Sequence, residues 1–296
     1  MATRKLIFVT GAHRSGTTWV GQMMSLPTHI RNIHEPFNID ESRIHPLQYW
    51  FEYVSLDDPI EKQDAVYKYL NDLIQFNANG LAKELAMIRG PRDVLRFFKS
   101  AYERINKRPL IKDPLAIMST EWIAKKFKAD VVVMVRHPAA FVASIKVKRW
   151  KHSFSHFVEQ EKLMKELAPF EKQIRAFAEN PPDLIDQGIL LWNIIYYKVT
   201  KLQSKYPKWI FVRHEDLSLN PVDEFRKIYK KVHLNFTNQT RKKILDSTTA
   251  KKSDRLKRDS KKNITTWKKR LTPQEIDRVK NGTHEIWEKF YTEKDW

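Results

Sequence analysis

The run Leu6 to Trp19, LIFVTGAHRSGTTW, constrains this chain more than any other stretch. Four apolar residues lead into a glycine-bounded loop, and hydroxyl residues then begin a helix. Leu6, Ile7, Phe8 and Val9 read as a strand buried on both faces, as in a parallel sheet, because the run lacks alternation and glycine ends it. Gly11 and Gly16, with four residues between them, let backbone N–H groups turn inward. Ser15, Thr17 and Thr18 open a helix whose first N–H groups have no internal partner. Donors gathered in this way suit a phosphate.

The spacing is that of a nucleotide P-loop, but Thr17 stands where a triphosphate-binding loop has the lysine that reaches the β and γ phosphates. A ligand other than a triphosphate is expected, with Arg14 as the cation. A second strand, turn and helix follow at Asp130 to Val135 (DVVVMV), Arg136-His137-Pro138 and Ala139 to Arg149. Two such units have the grammar of parallel crossovers. The fold class expected is therefore α/β, a central parallel sheet flanked by helices with a P-loop for nucleotide. Arg136 at a strand end and Ser144 on the first turns of the next helix can both point at one phosphate.

Arg31 to His34 reads as a short strand delivering Glu35 to the rim of the sheet, where ligands of doubly wound folds sit. Pro109 to Lys112 and Trp209 to Val212 are further short strands. Helices are expected over Pro59 to Phe76 and Pro91 to Asn106, covering a face or shaping an acceptor cleft, and over Pro114 to Phe127, Lys151 to Ala178 and Leu184 to Tyr206. Thr272 to Phe290 reads as a closing helix pair. From Lys251 to Arg270 there are ten basic and two acidic residues with little apolar periodicity. Such a run is expected to order as a mobile lid over bound nucleotide, since like charges repel and few apolar groups offset the ordering entropy. With 296 residues and no linker-like tract, one domain spanning 1–296 is expected, with a helical insertion over about 41–106 and the basic lid over about 251–270.

The 54 basic and 35 acidic residues give a net charge of +19, which concentrates anions near the surface. Nucleic acid, an anionic membrane, acidic glycans and a multiply charged nucleotide are all compatible with that charge. Absence of cysteine excludes disulfides and fits a reducing compartment. The amino terminus runs straight into the first strand, and the longest apolar run, Ile189 to Tyr197, is too short for a bilayer. A soluble, cytoplasmic protein is expected, and the sequons at Asn235, Asn238, Asn263 and Asn281 read as chance.

The RSGTTW run resembles the 5′-phosphosulfate loop of the sulfotransferases that use 3′-phosphoadenosine 5′-phosphosulfate (PAPS). RHPAAFVAS, from Arg136 to Ser144, resembles their 3′-phosphate motif. The HEPF segment at Glu35 is similar to the FEP segment of carbohydrate sulfotransferases, and Lys112-Asp113-Pro114 to their K-D-P. The resemblance implies PAPS as co-substrate, held by Arg14, Ser15, Gly16, Thr17, Thr18, Arg136 and Ser144, with Trp19 stacking on adenine. It implies a basic loop over the 3′-phosphate at Arg258, Lys261 and Lys262, although the usual glycines of that loop are missing. Catalytic roles fall to Glu35, Lys112, Arg14 and Asp113, with no metal. Glu35 is the proposed base and Asp113 the second candidate; His34 is the rival, whose position within the strand suggests packing. Arg213 to Leu217 resembles the family's Y-E-D-L with His214 replacing tyrosine, and reads as structural. The acceptor implied is a glycan or glycolipid, without nucleic acid as partner, and peripheral contact with an anionic membrane fits the charge. A P-loop nucleotide kinase, a sulfotransferase acting on a small alcohol or phenol, a nucleic-acid-binding protein and a catalytically silent binding protein stay open as alternatives.

Overall fold

The computed structural model describes residues 5–41, 45–75, 85, 88–248 and 260–296. Its five strands are β1 (Ile7–Gly11), β2 (Ile30–His34), β3 (Arg108–Lys112), β4 (Asp130–Val135) and β5 (Ile210–Arg213). They form one sheet in the order β2-β3-β1-β4-β5, and every neighbouring pair is parallel. This is the α/β class that the repeated strand, turn and helix implied. The main helices are α1 (Thr17–Met24), α2 (Ile60–Ile74), α3 (Pro91–Asn106), α4 (Thr120–Lys126), α5 (Pro138–Lys148), α6 (Leu184–Lys205), α7 (His214–Leu219), α8 (Pro221–Lys231), α9 (Asn238–Thr248), α10 (Ser260–Ile264) and α11 (Pro273–Gly282).

Successive strand residues point to opposite faces, and both faces here are apolar. Phe8, Ile111, Val131, Val133 and Val135 join α5 and α6 in one core. Ile7, Val9, Leu110, Val132, Met134 and Val212 join α1, α8 and α9 in another. Burial on both sides is why β1 and β4 read as unbroken apolar runs.

Two expected helices are broken. In place of one helix over Pro114 to Phe127 there is a 3₁₀ turn, Leu115–Ser119, followed by α4. The Asp113 carboxylate accepts the N–H groups of Leu115 and Ala116 at 2.9 and 3.3 Å. At the far end the Ser119 hydroxyl binds the Glu52 carbonyl at 2.6 Å, so tertiary bonds set this turn. Lys151 to Ala178 divides into the helices Ser155–Val158, Glu161–Glu166 and Glu171–Glu179. Burial of Phe154, Phe157, Leu163 and Leu167 folds this segment back onto the core, and the Gln160 side chain accepts the Tyr53 N–H at 2.7 Å.

Candidate active site

Parallel strands put all their carboxyl ends on one edge, where ligands of doubly wound folds sit. Each strand here ends in a candidate group: the loop after β1, Glu35 after β2, Lys112 and Asp113 at β3, Arg136 after β4 and His214 after β5.

In the first loop Gly11 (φ 138°) and Gly16 (φ 93°) occupy backbone conformations that L side chains rarely adopt. A Cβ on Gly11 would lie 2.5 Å from the Met134 carbonyl oxygen, and one on Gly16 2.6 Å from the His214 ring. The loop is therefore pressed between β4 and α7. The Ser15 N–H donates to the Ala12 carbonyl at 3.1 Å, so this amide closes the loop instead of serving an anion. What α1 offers are its first-turn N–H groups, which have no carbonyl to pair with inside the helix. The buried Ser15 hydroxyl has no hydrogen-bond partner among the described residues.

The sequence places Arg14 at the sulfuryl end and Ser144 at the far phosphate; the fold joins them. Arg14 Nε donates to Ser144 Oγ at 2.9 Å, and Arg136 Nη1 donates to the Arg14 carbonyl at 2.5 Å. The end of β4 is fixed by α6, since Tyr196 Oη accepts the Arg136 N–H at 2.8 Å and Trp192 Nε1 donates to the Arg136 carbonyl at 3.0 Å. Glu215 accepts the His137 N–H at 3.1 Å and the Tyr291 hydroxyl at 2.9 Å. Burial pushes the Glu215 carboxyl up, while the Arg136 charge and these bonds pull it down. Its part is thus to tie strand ends together, as the sequence suggests.

His137 stacks on Trp267, with ring centroids 5.2 Å apart and planes 11° apart. Burial pushes the imidazole down to about 3. Trp267 is 3% exposed and so anchors the end of the basic run beside Arg136. Ser260 Oγ donates to the Ser218 carbonyl at 3.0 Å, and α10 packs on α7. Residues 260–270 thus pack on α7 and beside Arg136, while 251–259, the rest of the expected lid, lie outside the described residues. Lys261 and Lys262 are exposed on α10, and Arg258 lies outside the described residues. Trp19 is half-buried, its Nε1 donating to Ser247 Oγ at 3.0 Å and its ring meeting Phe225 edge-on at 5.3 Å.

On the other half of the rim, Lys112 is 1% exposed. Its Nζ donates to Glu35 Oε1 and lies 3.1 Å from His34 Nε2. Glu35 has φ 40°, unusual for a residue with a side chain. Its other oxygen accepts Asn38 Nδ2 at 3.2 Å. Asp113 is fully buried, and its second oxygen accepts the Phe37 N–H at 2.5 Å. Burial pushes this carboxyl up to about 7, with the Glu35 charge acting the same way and the backbone bonds opposing. Three N–H bonds make Asp113 the anchor of the loop that carries Glu35.

His34 does not pack within the strand as the sequence suggests. Its side chain is 51% exposed and faces Lys112 and Glu35, because the next residue already leaves the sheet. His214 is a rim residue that sequence reasoning reads only as structural: its ring presses on Gly16 and meets Trp19 edge-on at 6.2 Å. The signal was its place, at the end of the last strand and in the tyrosine position of a known motif.

A family model described as "Sulfotransferase family" matches residues 7–238. The chain belongs to the sulfotransferase family. It is an enzyme of that family, PAPS-dependent by family. Comparison with curated proteins finds no match. Among solved structures, the sulfotransferase domain from the curacin biosynthetic pathway is 14% identical, with 94% of this chain and 96% of that one covered and a TM-score of 0.48. The sulfotransferase STF9 from Mycobacterium avium is 12% identical over 99% of this chain and 78% of that one, with a TM-score of 0.48. The mouse sulfotransferase SULT7A1, complexed with PAP, is 16% identical over 97% of this chain and 86% of that one, with a TM-score of 0.45.

Proposed function

We propose that this sulfotransferase moves a sulfuryl group from PAPS to a hydroxyl or amine of a carbohydrate or glycolipid acceptor. The observation that carries the reading is the bond from Arg14 Nε to Ser144 Oγ, which joins the two phosphate motifs beside the Lys112 and Glu35 pair. The residues present fit a nucleotide with two separated phosphates. Ser15 offers a buried hydroxyl without a partner among the described residues, α1 offers its first-turn N–H groups, and Arg14 and Arg136 bring two cations. Glycine at position 16 leaves the loop against His214 with no room for a side chain.

PAPS, when bound, supplies a sulfuryl group on a phosphate leaving group. Arg14, Ser15 and the α1 amides hold the 5′ side, while Arg136 and Ser144 hold the 3′-phosphate. Lys112, buried at a strand end, stabilises negative charge where the two reactants meet. Glu35 takes the proton of the acceptor hydroxyl as the oxygen becomes a nucleophile. Its left-handed backbone, fixed by Asn38 and Asp113, turns it off the strand and toward Lys112. Asp113 positions that loop, since its oxygens are already engaged by backbone N–H groups. The carbohydrate reading of the acceptor draws on the HEPF and K-D-P resemblance.

Two measurements test this. Calorimetric titration should show adenosine 3′,5′-bisphosphate binding more tightly than AMP or ATP; tighter binding of ATP would favour the kinase reading. Transfer of labelled sulfate from PAPS across glycans, glycolipids, alcohols and phenols should favour the sugars, and transfer to phenols alone would sink the acceptor assignment.

A further inference from the structure

The helix α3 turns an apolar face to solvent. None of its residues is buried, and Leu95, Phe98, Tyr102 and Ile105 are 71%, 65%, 62% and 44% exposed, with Val94 at their border. Steps of three, four and three residues put these side chains on one stripe of the helix. Exposed Arg92, Arg96 and Lys99 flank that stripe. Of the acids nearby, Asp93 pairs with Arg96 at 3.5 Å and Glu103 with Lys107 at 2.9 Å. Five cations and two acids over residues 91–107 leave the segment at +3.

We infer that α3 is a docking surface for a lipid bilayer carrying anionic headgroups. An apolar stripe bordered by cations, with aromatic rings at the boundary, is what lies stably in the plane of a membrane interface. Charge decides between this occupant and a second copy of the chain, because two such helices would bring +3 against +3. Area points the same way. Sixteen residues span about 24 Å, so a stripe some 10 Å wide offers about 240 Å², well below the roughly 800 Å² per partner of a stable dimer. Attachment would be to the surface, since among the described residues no helix is long and apolar enough to cross a membrane.

The test is cosedimentation of the full chain with vesicles of phosphatidylcholine alone or mixed with phosphatidylserine. Binding should require phosphatidylserine and weaken as salt is raised. The double variant Leu95→Asp and Phe98→Asp should bind about tenfold more weakly or worse. Reversing Arg92 and Lys99 to glutamate should cost about fivefold or more for each position. Both variants should keep the wild-type affinity for adenosine 3′,5′-bisphosphate, which shows that they are folded. Absence of vesicle binding, equal binding to both vesicle types, or variants that bind like wild type would each overturn the proposal. So would sedimentation showing a dimer that the Leu95 and Phe98 changes dissociate.

Discussion

The two halves of the strand-end rim handle charge in opposite ways. On the β1 and β4 half, Arg14 and Arg136 donate to neutral oxygens, a serine hydroxyl and a main-chain carbonyl, and the buried Glu215 feels the Arg136 charge. On the β2 and β3 half, the buried Lys112 is bonded to a carboxylate, Glu35, with His34 alongside. A neutral partner positions a cation while leaving its charge for an incoming anion. An acidic partner makes a compact, nearly neutral pair whose members can exchange a proton with a substrate and keep the total burial cost low. On the proposed function, the first half binds and the second reacts.

The largest expected effect lies on the reacting half. Glu35→Gln keeps the shape and the contact with Lys112 but removes the proton acceptor, so turnover should fall by about 10² to 10⁴ while bisphosphate affinity holds. Should that variant stay active while Asp113→Asn is dead, the division of roles between the two carboxyls is reversed. Lys112→Met comes next, with turnover down by about 10² to 10³ from lost charge stabilisation; a loss of bisphosphate affinity alone would move Lys112 to the binding half.

On the binding half, Arg136→Ala should weaken adenosine 3′,5′-bisphosphate by about 10- to 100-fold, and weaken AMP far less. Equal losses for both nucleotides would break the assignment of Arg136 to the 3′-phosphate. Ser144→Ala should follow the same pattern at smaller size.

The smallest effect separates the halves by pH. Burial holds His13 on the first loop at about 3, the Arg14 charge adding to it, and burial likewise holds His137 and His152 at about 3. Unfolded, they titrate near 6.5, so between 6.5 and 3 the unfolded chain binds more protons and stability falls as pH falls, by about 1.4 kcal/mol per unit for each group. Asp113 acts in the opposite sense. Its folded carboxyl sits at about 7 against an ordinary 3.8, so it contributes stability on acidification through that window and offsets one histidine. His13→Phe should therefore lose up to about 2 kcal/mol less than wild type between pH 7 and 5 in denaturant titrations. Identical losses would show His13 to be protonated in the folded chain.

Much of this was legible in the sequence because it rests on local pattern. The buried runs of β1 and β4, the glycine-bounded loop, and Arg136 with Ser144 each sit within one short segment. The rest depends on contacts between distant segments. Nothing near His34 in the chain says that β3 brings Lys112 beside it, and the helix expected from Pro114 gives way to a turn whose Ser119 end is bonded to Glu52, a contact that only the fold supplies. The division of the 151–178 region reflects aromatic burial against residues more than a hundred positions away. The charge of the basic run was visible in the sequence, whereas the seat of Trp267 against His137 and Trp296 was not. His214 and the outward face of α3 share a cause: periodicity reveals an apolar stripe but not what it meets.

The Arg136 bond to the Arg14 carbonyl has a thermodynamic corollary. Arg14 sits at φ 63°, a conformation that costs free energy for a residue with a side chain, and the guanidinium from the end of β4 holds the oxygen of that peptide. An anion that orders Arg136 therefore also settles the first loop, so the two ends of a bisphosphate should report non-additive binding energies. In a cycle combining Arg136→Ala with removal of the 5′-phosphate from the ligand, the double change should cost less than the two single changes added together. A nucleotide carrying just one of its phosphates is then a poorer ligand than half the binding energy would suggest, and the loop itself helps to reject incomplete donors.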